Sequence, residues 1–498
     1  MKSVLLTSIP KYDLSAPPAA IGVLQGVTKD NNLNATVFDF NVHLNKNLTK
    51  QEWIELDNWC MFIKQTISKN LEKKILKLWD EEITKKLPAS CEYLLLSVFS
   101  YWSLYIARLL IMHENKKIRP YKLIVGGNGV VSKFPDTNQY FTDWNKENKY
   151  IEHLIIGDGE KPLGEILSQG KVKYDNDNID SFPFPSYNGF NFNDYEEKKI
   201  YITGSRGCVR KCTFCDIYNI WPKFRYRSNN SLLEEIKSHY EKHGVTRFDF
   251  TDSLINGSVS NFHRFNCLLA EEKEKNKDLK NIVYLGQFIC RPKHQMPKSH
   301  YEAMYYAGCK QLTVGIESFS NNVRDHMKKK FSDTDIEYHL EQCKYWNIPN
   351  VFLMITGYPT ETLEDHQKNL DDTIKYKDYA KMGIIELLRW GTTMHLIPDT
   401  PITSEYYQKT LGLKDDDNTP IGFHPESTYN WTSTSNPNLT LKERIRRRIE
   451  LHKTSVKCGY PQPRVKDELN TLLEMTNLIK SKIVSTQIDR QGCRLTGQ

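Results

Sequence analysis

An α/β protein made of two parallel-sheet units in tandem is the fold this sequence predicts, and three observations carry it. Apolar strand segments alternate with amphipathic helices from residue 1 to 170, the alternation returns six times between residues 200 and 402, and a polar, proline-punctuated stretch over 171–199 parts the two runs. Strands separated by helices predict parallel pairing through right-handed crossovers. The first unit is therefore expected to be a doubly wound, Rossmann-like sheet, and the second a partial (βα)6, TIM-like barrel. A helical extension over 403–498 follows. A chain of 498 residues exceeds what one core usually holds, so two domains and an extension suit its length.

Composition narrows the class. Hydrophobic residues make up 39% and aromatic residues 11%, which is globular rather than disordered. The net charge of +7 sets 68 basic against 61 acidic residues and demands no anionic partner. The opening MKSVLLTSIP reads as a first strand rather than a signal peptide, and no apolar run approaches membrane-spanning length. Eleven cysteines without a paired framework fit a reducing compartment, so a cytoplasmic protein without membrane contact is expected.

In chain order, strands are predicted over 3–9, 35–40, 93–100, 121–126 and 153–156. Helical spacing covers 18–29, 103–113 and 161–168, with a lysine-rich helical insertion over 49–86. Gly126-Gly127 and Gly157-Asp-Gly-Glu160 fall where strands end, which is where ligands sit in doubly wound sheets. Residues 171–199 read as an interdomain linker. Six further strands are predicted near 199–203, 247–251, 282–288, 311–316, 351–356 and 385–396.

The chemistry concentrates just past the first of these. Cys208, Cys212 and Cys215 form C-x3-C-x2-C, three thiols within eight residues. Three close thiolates suit a metal; a four-iron cluster normally takes a cysteine on every iron, so three leave one iron open. A zinc knot completed by a distant Cys or His, or three buried thiols, are the other readings. Further chemistry-bearing residues fall at later strand ends: Asp252, Arg291, then Gly315-Ile-Glu317-Ser318, Gly357-Tyr-Pro359-Thr-Glu361 and Ile397-Pro-Asp-Thr-Pro401.

This spacing, with those strand-end stretches in that order, resembles the radical S-adenosylmethionine (SAM) enzymes over most of the chain. The resemblance implies a [4Fe-4S] cluster on Cys208, Cys212 and Cys215. It also implies SAM chelated by the open iron and cleaved reductively to a 5′-deoxyadenosyl radical. It places Phe214 against the adenine, and Glu317 in the G-x-E-S stretch on the ribose hydroxyls. Gly315, Ser318, Gly357 and Pro359 become backbone contacts, and Asp252 and Arg291 further cofactor contacts. An electron donor such as flavodoxin or ferredoxin goes with that chemistry. Residues 1–170 resemble the cobalamin-binding domain that precedes many such barrels, with Ser97-Val-Phe99 and Gly126-Gly127 at two of its signatures. The third signature, D-x-H-x-x-G, is not met: Asp39-Phe-Asn41-Val-His43 puts Asn41 where the cobalt-ligating His belongs, with His43 as a substitute or a solvated loop residue. Cobalamin is therefore left open.

With cobalamin, methyl transfer to an unactivated carbon or a phosphinate-like centre is expected; without it, methylthiolation or a radical oxidation or rearrangement. A zinc-stabilised, non-catalytic binding protein is the reading from another class. The tail predicts helices over 440–452 and 465–483. Its basic run from Lys442 to Arg448 reads as a solvated helix face or, less simply, a phosphate contact. Nucleic acid is not an expected partner, and the substrate, small or macromolecular, is not legible. Cys267, Cys290, Cys309 and Cys343 read as small packing residues.

Overall fold

The computed structural model describes residues 3–61, 66–134, 136–137, 139–171, 173–415 and 431–461. The helix expected over 465–483, and Cys493, lie outside the described residues. Five parallel strands, β1 (Ser3–Ile9), β2 (Asn34–Val37), β3 (Cys91–Val98), β4 (Lys122–Gly126) and β5 (His153–Ile155), form the first sheet in the order β2-β1-β3-β4-β5. Every residue of β1 is buried, as a strand covered on both faces requires. Leu5, Leu94 and Leu96 face one helical layer while Val4, Leu6 and Leu95 face the other, the period of two that a pleated strand imposes. Strand order reverses between β1 and β3, which sets a switch-point crevice at their carboxyl ends.

The lysine-rich insertion resolves into helices Lys50–Cys60 and Lys69–Lys86, the first opened by a capping box of Thr49 and Glu52. His43 is not on a loop. Asp39 accepts the Val42 N–H and closes the segment into helix Phe40–Asn47, where the His43 ring stacks on Phe40 and faces Glu82. Asn41 is fully buried and donates to the Tyr12 carbonyl. His43 Nε2 and Asn41 Oδ1 stay buried without a hydrogen-bond partner among the described residues.

Residues 171–199 are more than a tether. Tyr187 is buried in the barrel's core and donates to the Tyr201 carbonyl, while Gln25 donates to the Asn188 carbonyl. Arg206 and Arg227 lie over the Phe182 and Phe184 rings. Aromatic residues on both sides of two prolines thus turn a polar stretch into a packed bridge.

The second sheet begins with β6 (Lys199–Ile202); the loop after it carries a short antiparallel ribbon, β7 (Ser205–Arg206) with β8 (Arg225–Tyr226). Then come β9 (Arg247–Phe250), β10 (Val283–Phe288), β11 (Cys309–Glu317), β12 (Asn350–Thr356) and β13 (Ile385–Thr393), in the order β13-β12-β11-β10-β9-β6. All neighbours are parallel, and β13 and β6 are the edges of an open, six-stranded half-barrel. Ile200, Phe248, Tyr284, Leu312, Phe352 and Leu388 are completely buried on its helix-covered face. Each such burial stabilises by about 1.5–3 kcal/mol. A last ribbon, β14 (Leu413–Asp415) with β15 (Trp431–Ser433), leads to helix Leu441–Lys457.

That helix corrects both readings of the basic run. Arg444, Arg447 and Arg448 are buried. The Arg444 guanidinium lies 3.7 Å over the Trp431 ring, and Arg447 pairs with Glu361 at 3.0 Å. Lys442 and Arg446 are exposed, and Arg446 is held by Glu443 and Glu450. Positions 444, 447, 448 and 451 share one face at helical spacing, so the buried stripe is built largely of arginine.

Candidate functional site

The cysteine loop starts at Gly207, whose φ of +83° suits glycine and whose added Cβ would stand 2.6 Å from the Lys223 carbonyl oxygen. Cys208 accepts the Arg210 N–H at 3.4 Å, and the Cys215 N–H donates to the Cys212 carbonyl. Thr213 is the anchor: its N–H reaches the Met327 carbonyl, its carbonyl accepts from Ile402, and its hydroxyl meets Tyr358 Oη at 2.7 Å. One residue between Cys212 and Cys215 is therefore tied to the loops after β11, β12 and β13.

Burial pushes the Cys212 thiol up and the Cys215 thiol to about 11, with Lys329 opposing at Cys212. The Lys329 ammonium beside them favours the thiolate form against that burial. Among the described residues no three His, Cys, Asp or Glu side chains converge as one metal ion requires.

Around the loop the strand ends contribute unequally. Glu317, with φ of +66°, closes β11 and accepts from Lys329 Nζ at 3.1 Å; Lys329 in turn lies 5.9 Å over the Phe214 ring. Burial works against the Lys329 charge, but Glu317 and the Cys212 thiol hold its pKa above the ordinary value. Gly315 lies directly under this pair, where a Cβ would come within 2.6 Å of Glu317 Oε1 and 3.1 Å of Lys329 Nζ. Gly315, Glu317, Phe214 and the thiol loop thus come together.

Arg291 joins them. It is buried, donates through Nη2 to the Asn256 and Gly257 carbonyls, and keeps a buried Nε with no partner among the described residues. Burial and the neighbouring Arg210 lower its pKa to about 10, and the Cys208 thiol is the group that counters them. An incompletely satisfied guanidinium beside the thiol loop is a ready anion site.

Other predicted residues do different work. Both Asp252 oxygens are engaged by the chain itself, accepting from Gly204 N–H at 2.8 Å and from the Ser205 hydroxyl at 2.5 Å, so Asp252 shapes the entry to the thiol loop rather than facing a ligand. Ser318 is fully buried, its hydroxyl on Asn369 and its carbonyl on Arg324. Gly357 has φ of +77° and abuts Arg444, its N–H donating to Glu361 Oε2; the Pro359 carbonyl accepts from Asn436. Asp365 completes the capping box with Thr362. Cys290, Cys309 and Cys343 are buried in the barrel core, as expected.

On the first sheet, Ser97 is 3% exposed within β3. Gly126 and Gly127 pack against the Ile155 and Val98 carbonyls. They form a floor. Above it Phe99, Tyr101, Trp102 and Ile156 stand exposed at the carboxyl ends, and nothing lies within 4 Å of where a Gly157 Cβ would be. An open apolar crevice at the switch point fits a large flat ligand. Asp158 and Glu160 of the next turn hold Arg206, two residues before Cys208, so the carboxyl edge of the first sheet meets the cysteine loop.

Lys329, Thr213 and the exposed aromatic edge escaped the sequence reading. Lys329 sits in Lys328-Lys329-Lys330, which reads as a solvated run; its spacing after Glu317 was the available signal.

The family profile described as Radical SAM superfamily matches residues 202–373. The ribosomal protein uS12 methylthiotransferase RimO of Clostridium botulinum is 25% identical over 298 residues, covering 57% of this chain and 63% of that protein. Cytidylyl-2-hydroxyethylphosphonate methyltransferase of Streptomyces wedmorensis is 26% identical over 215 residues, 39% of this chain and 38% of that one. The chain thus spans less than two thirds of these curated relatives. Among solved structures, the cobalamin-dependent SAM radical enzyme OxsB, with aqua-cobalamin and SAM bound, superposes with a TM-score of 0.63 at 15% identity over 99% of this chain and 75% of its own. The radical SAM methyltransferase TsrM from Kitasatospora setae gives 0.59 at 16% over 85% and 79%. At these identities the likeness is one of fold, and it extends over both sheets. On this evidence residues 202–373 form a radical SAM domain.

Proposed function

We propose that this chain is a radical SAM enzyme that holds a [4Fe-4S] cluster on Cys208, Cys212 and Cys215 and binds SAM between Phe214, Gly315 and Glu317. The observation that carries the reading is the thiol loop pinned through Thr213 to three strand ends, with Lys329 and the incompletely satisfied Arg291 beside it. When bound, the cluster supplies one electron to the SAM sulfonium, releasing methionine and a 5′-deoxyadenosyl radical. Arg291 and Arg210 take the methionine carboxylate, Glu317 the ribose hydroxyls and Phe214 the adenine face. The half-barrel keeps water from the carbon that loses hydrogen.

Cobalamin is the second cofactor of this reading. The order of the first sheet and its exposed aromatic edge support it. The reaction is then methyl transfer. Methylthiolation is the second reading, favoured by the similarity to RimO. A flavodoxin- or ferredoxin-like protein would deliver the electron.

Anaerobic reconstitution tests it. About four irons per chain, 5′-deoxyadenosine formed from SAM under strong reductant, and loss of both in Cys212→Ala are expected. Stoichiometric zinc without SAM cleavage overturns the proposal in favour of a non-catalytic binding protein. Cobalamin retained through gel filtration separates methyl transfer from methylthiolation.

A further inference from the structure

The inner face of the half-barrel carries a charge that nothing in the site explains. Along β13, Leu388 and Trp390 point into the helix-covered core, and Trp390 Nε1 donates to Ser455 on the outer helix. Arg389 between them therefore faces inward, as does its register partner Leu353, which lies between Phe352 and Met354 of the same core. Arg389 is nonetheless exposed, and among the described residues its guanidinium has no hydrogen-bond or ion-pair partner. Gln287 and Thr251 on the inner face are exposed too, whereas full parallel barrels fill that position with branched side chains. The acids nearby are committed elsewhere: Asp249 pairs with Lys199 and Arg247, and Glu386 accepts from Gln311.

Register ties this charge to the reacting centre. Arg389, Leu353 and Gly315 align across β13, β12 and β11. Two strand spacings separate Arg389 from Gly315, about 10 Å, and Gly315 is the glycine against which Glu317 and Lys329 close. We propose that Arg389 receives an anionic group of the substrate, a carboxylate or a phosphate-type oxyanion, and so presents the substrate carbon toward the nucleoside held at Gly315 and Glu317. The assignment rests on the SAM-binding reading above. A guanidinium offers both anions a two-point contact that an ammonium does not.

The test titrates inorganic phosphate and acetate separately at constant ionic strength, by calorimetry, into the reconstituted protein saturated with SAM. Saturable binding of at least one anion is expected, at least tenfold weaker in Arg389→Gln and partly restored in Arg389→Lys, and the tighter anion names the substrate's group. Equal affinity in wild type and Arg389→Gln, or binding of neither anion, overturns the proposal. So does an equal loss of SAM affinity in Arg389→Gln, which would assign the guanidinium to the nucleotide. Wild-type protein that takes up no iron sinks the cofactor reading instead; the same titration on that protein still reads the guanidinium.

Discussion

Asp252 is 2% exposed at the end of β9, and burial pushes its carboxyl up to about 6 despite hydrogen bonds from Gly204 and Ser205. An acid whose folded value lies above its ordinary 3.8 binds its proton more tightly when folded. Its contribution is therefore complete below pH 3.8 and is lost as pH rises through 6. Two pH units correspond to roughly 3 kcal/mol. Urea unfolding of wild type and Asp252→Asn between pH 4 and 7 isolates this group; the wild type should lose about 2–3 kcal/mol relative to the variant. A pH-independent difference would refute the burial argument. Glu361 and Arg447 make the complementary case, since both are buried and each satisfies the other. Arg447→Met leaves the Glu361 carboxylate without its cation and should cost about 3–5 kcal/mol, with part recovered in Arg447→Met/Glu361→Gln. Full additivity of the two substitutions would contradict the pairing.

At the scale of elements, the cysteine loop has little regular structure of its own and depends on ties to other strands. Tyr358→Phe removes the hydroxyl that meets Thr213 and should cost about 1 kcal/mol of stability. Its sharper signature is kinetic: iron should leave the reconstituted variant for a chelator several-fold faster than from wild type. Unchanged loss would mean that Tyr358 does not steady the loop. This dependence explains what the sequence revealed. Strands of period two and the C-x3-C-x2-C loop are local patterns, and the strands lie close to where the sequence places them; the helices opened by Thr49, Ser332 and Thr362 rest on equally local caps. Lys329 and Arg389 gain meaning only from their neighbours across strands, which register decides and spacing does not encode. Asp252 and Ser318 misled for a related reason: a strand-end polar residue looks the same in sequence whether it faces a ligand or braces the next loop. The arginine stripe misled because a buried guanidinium is uncommon unless its partners, here Glu361 and Trp431, are brought in from distant segments.

At the scale of the whole molecule, the question is what fixes the carboxyl edge of the first sheet against the mouth of the half-barrel. Asp158 pairs with Arg206 at 3.1 Å and with Arg225 at 3.2 Å, and accepts from Trp221 Nε1 at 2.7 Å. Glu160, 3% exposed, closes on the other side of the Arg206 guanidinium. These contacts join the turn after β5 to both strands of the ribbon that flanks the cysteine loop. Opposing charges raise the Arg206 pKa against the effect of its burial, so the pair network is net favourable only while both acids are present. Asp158→Asn/Glu160→Gln removes two negative charges and leaves that guanidinium buried with neutral partners. The two sheets have separate cores, so ion pairs that join them should help to couple their unfolding. Calorimetry should therefore show a wild-type transition that broadens or divides in the double variant, with the half-barrel component moving to lower temperature. Because Arg206 precedes Cys208 by two residues, the same variant should also retain less iron after reconstitution. An unaltered single transition with full iron would show that packing along residues 171–199 holds the units together without the charges.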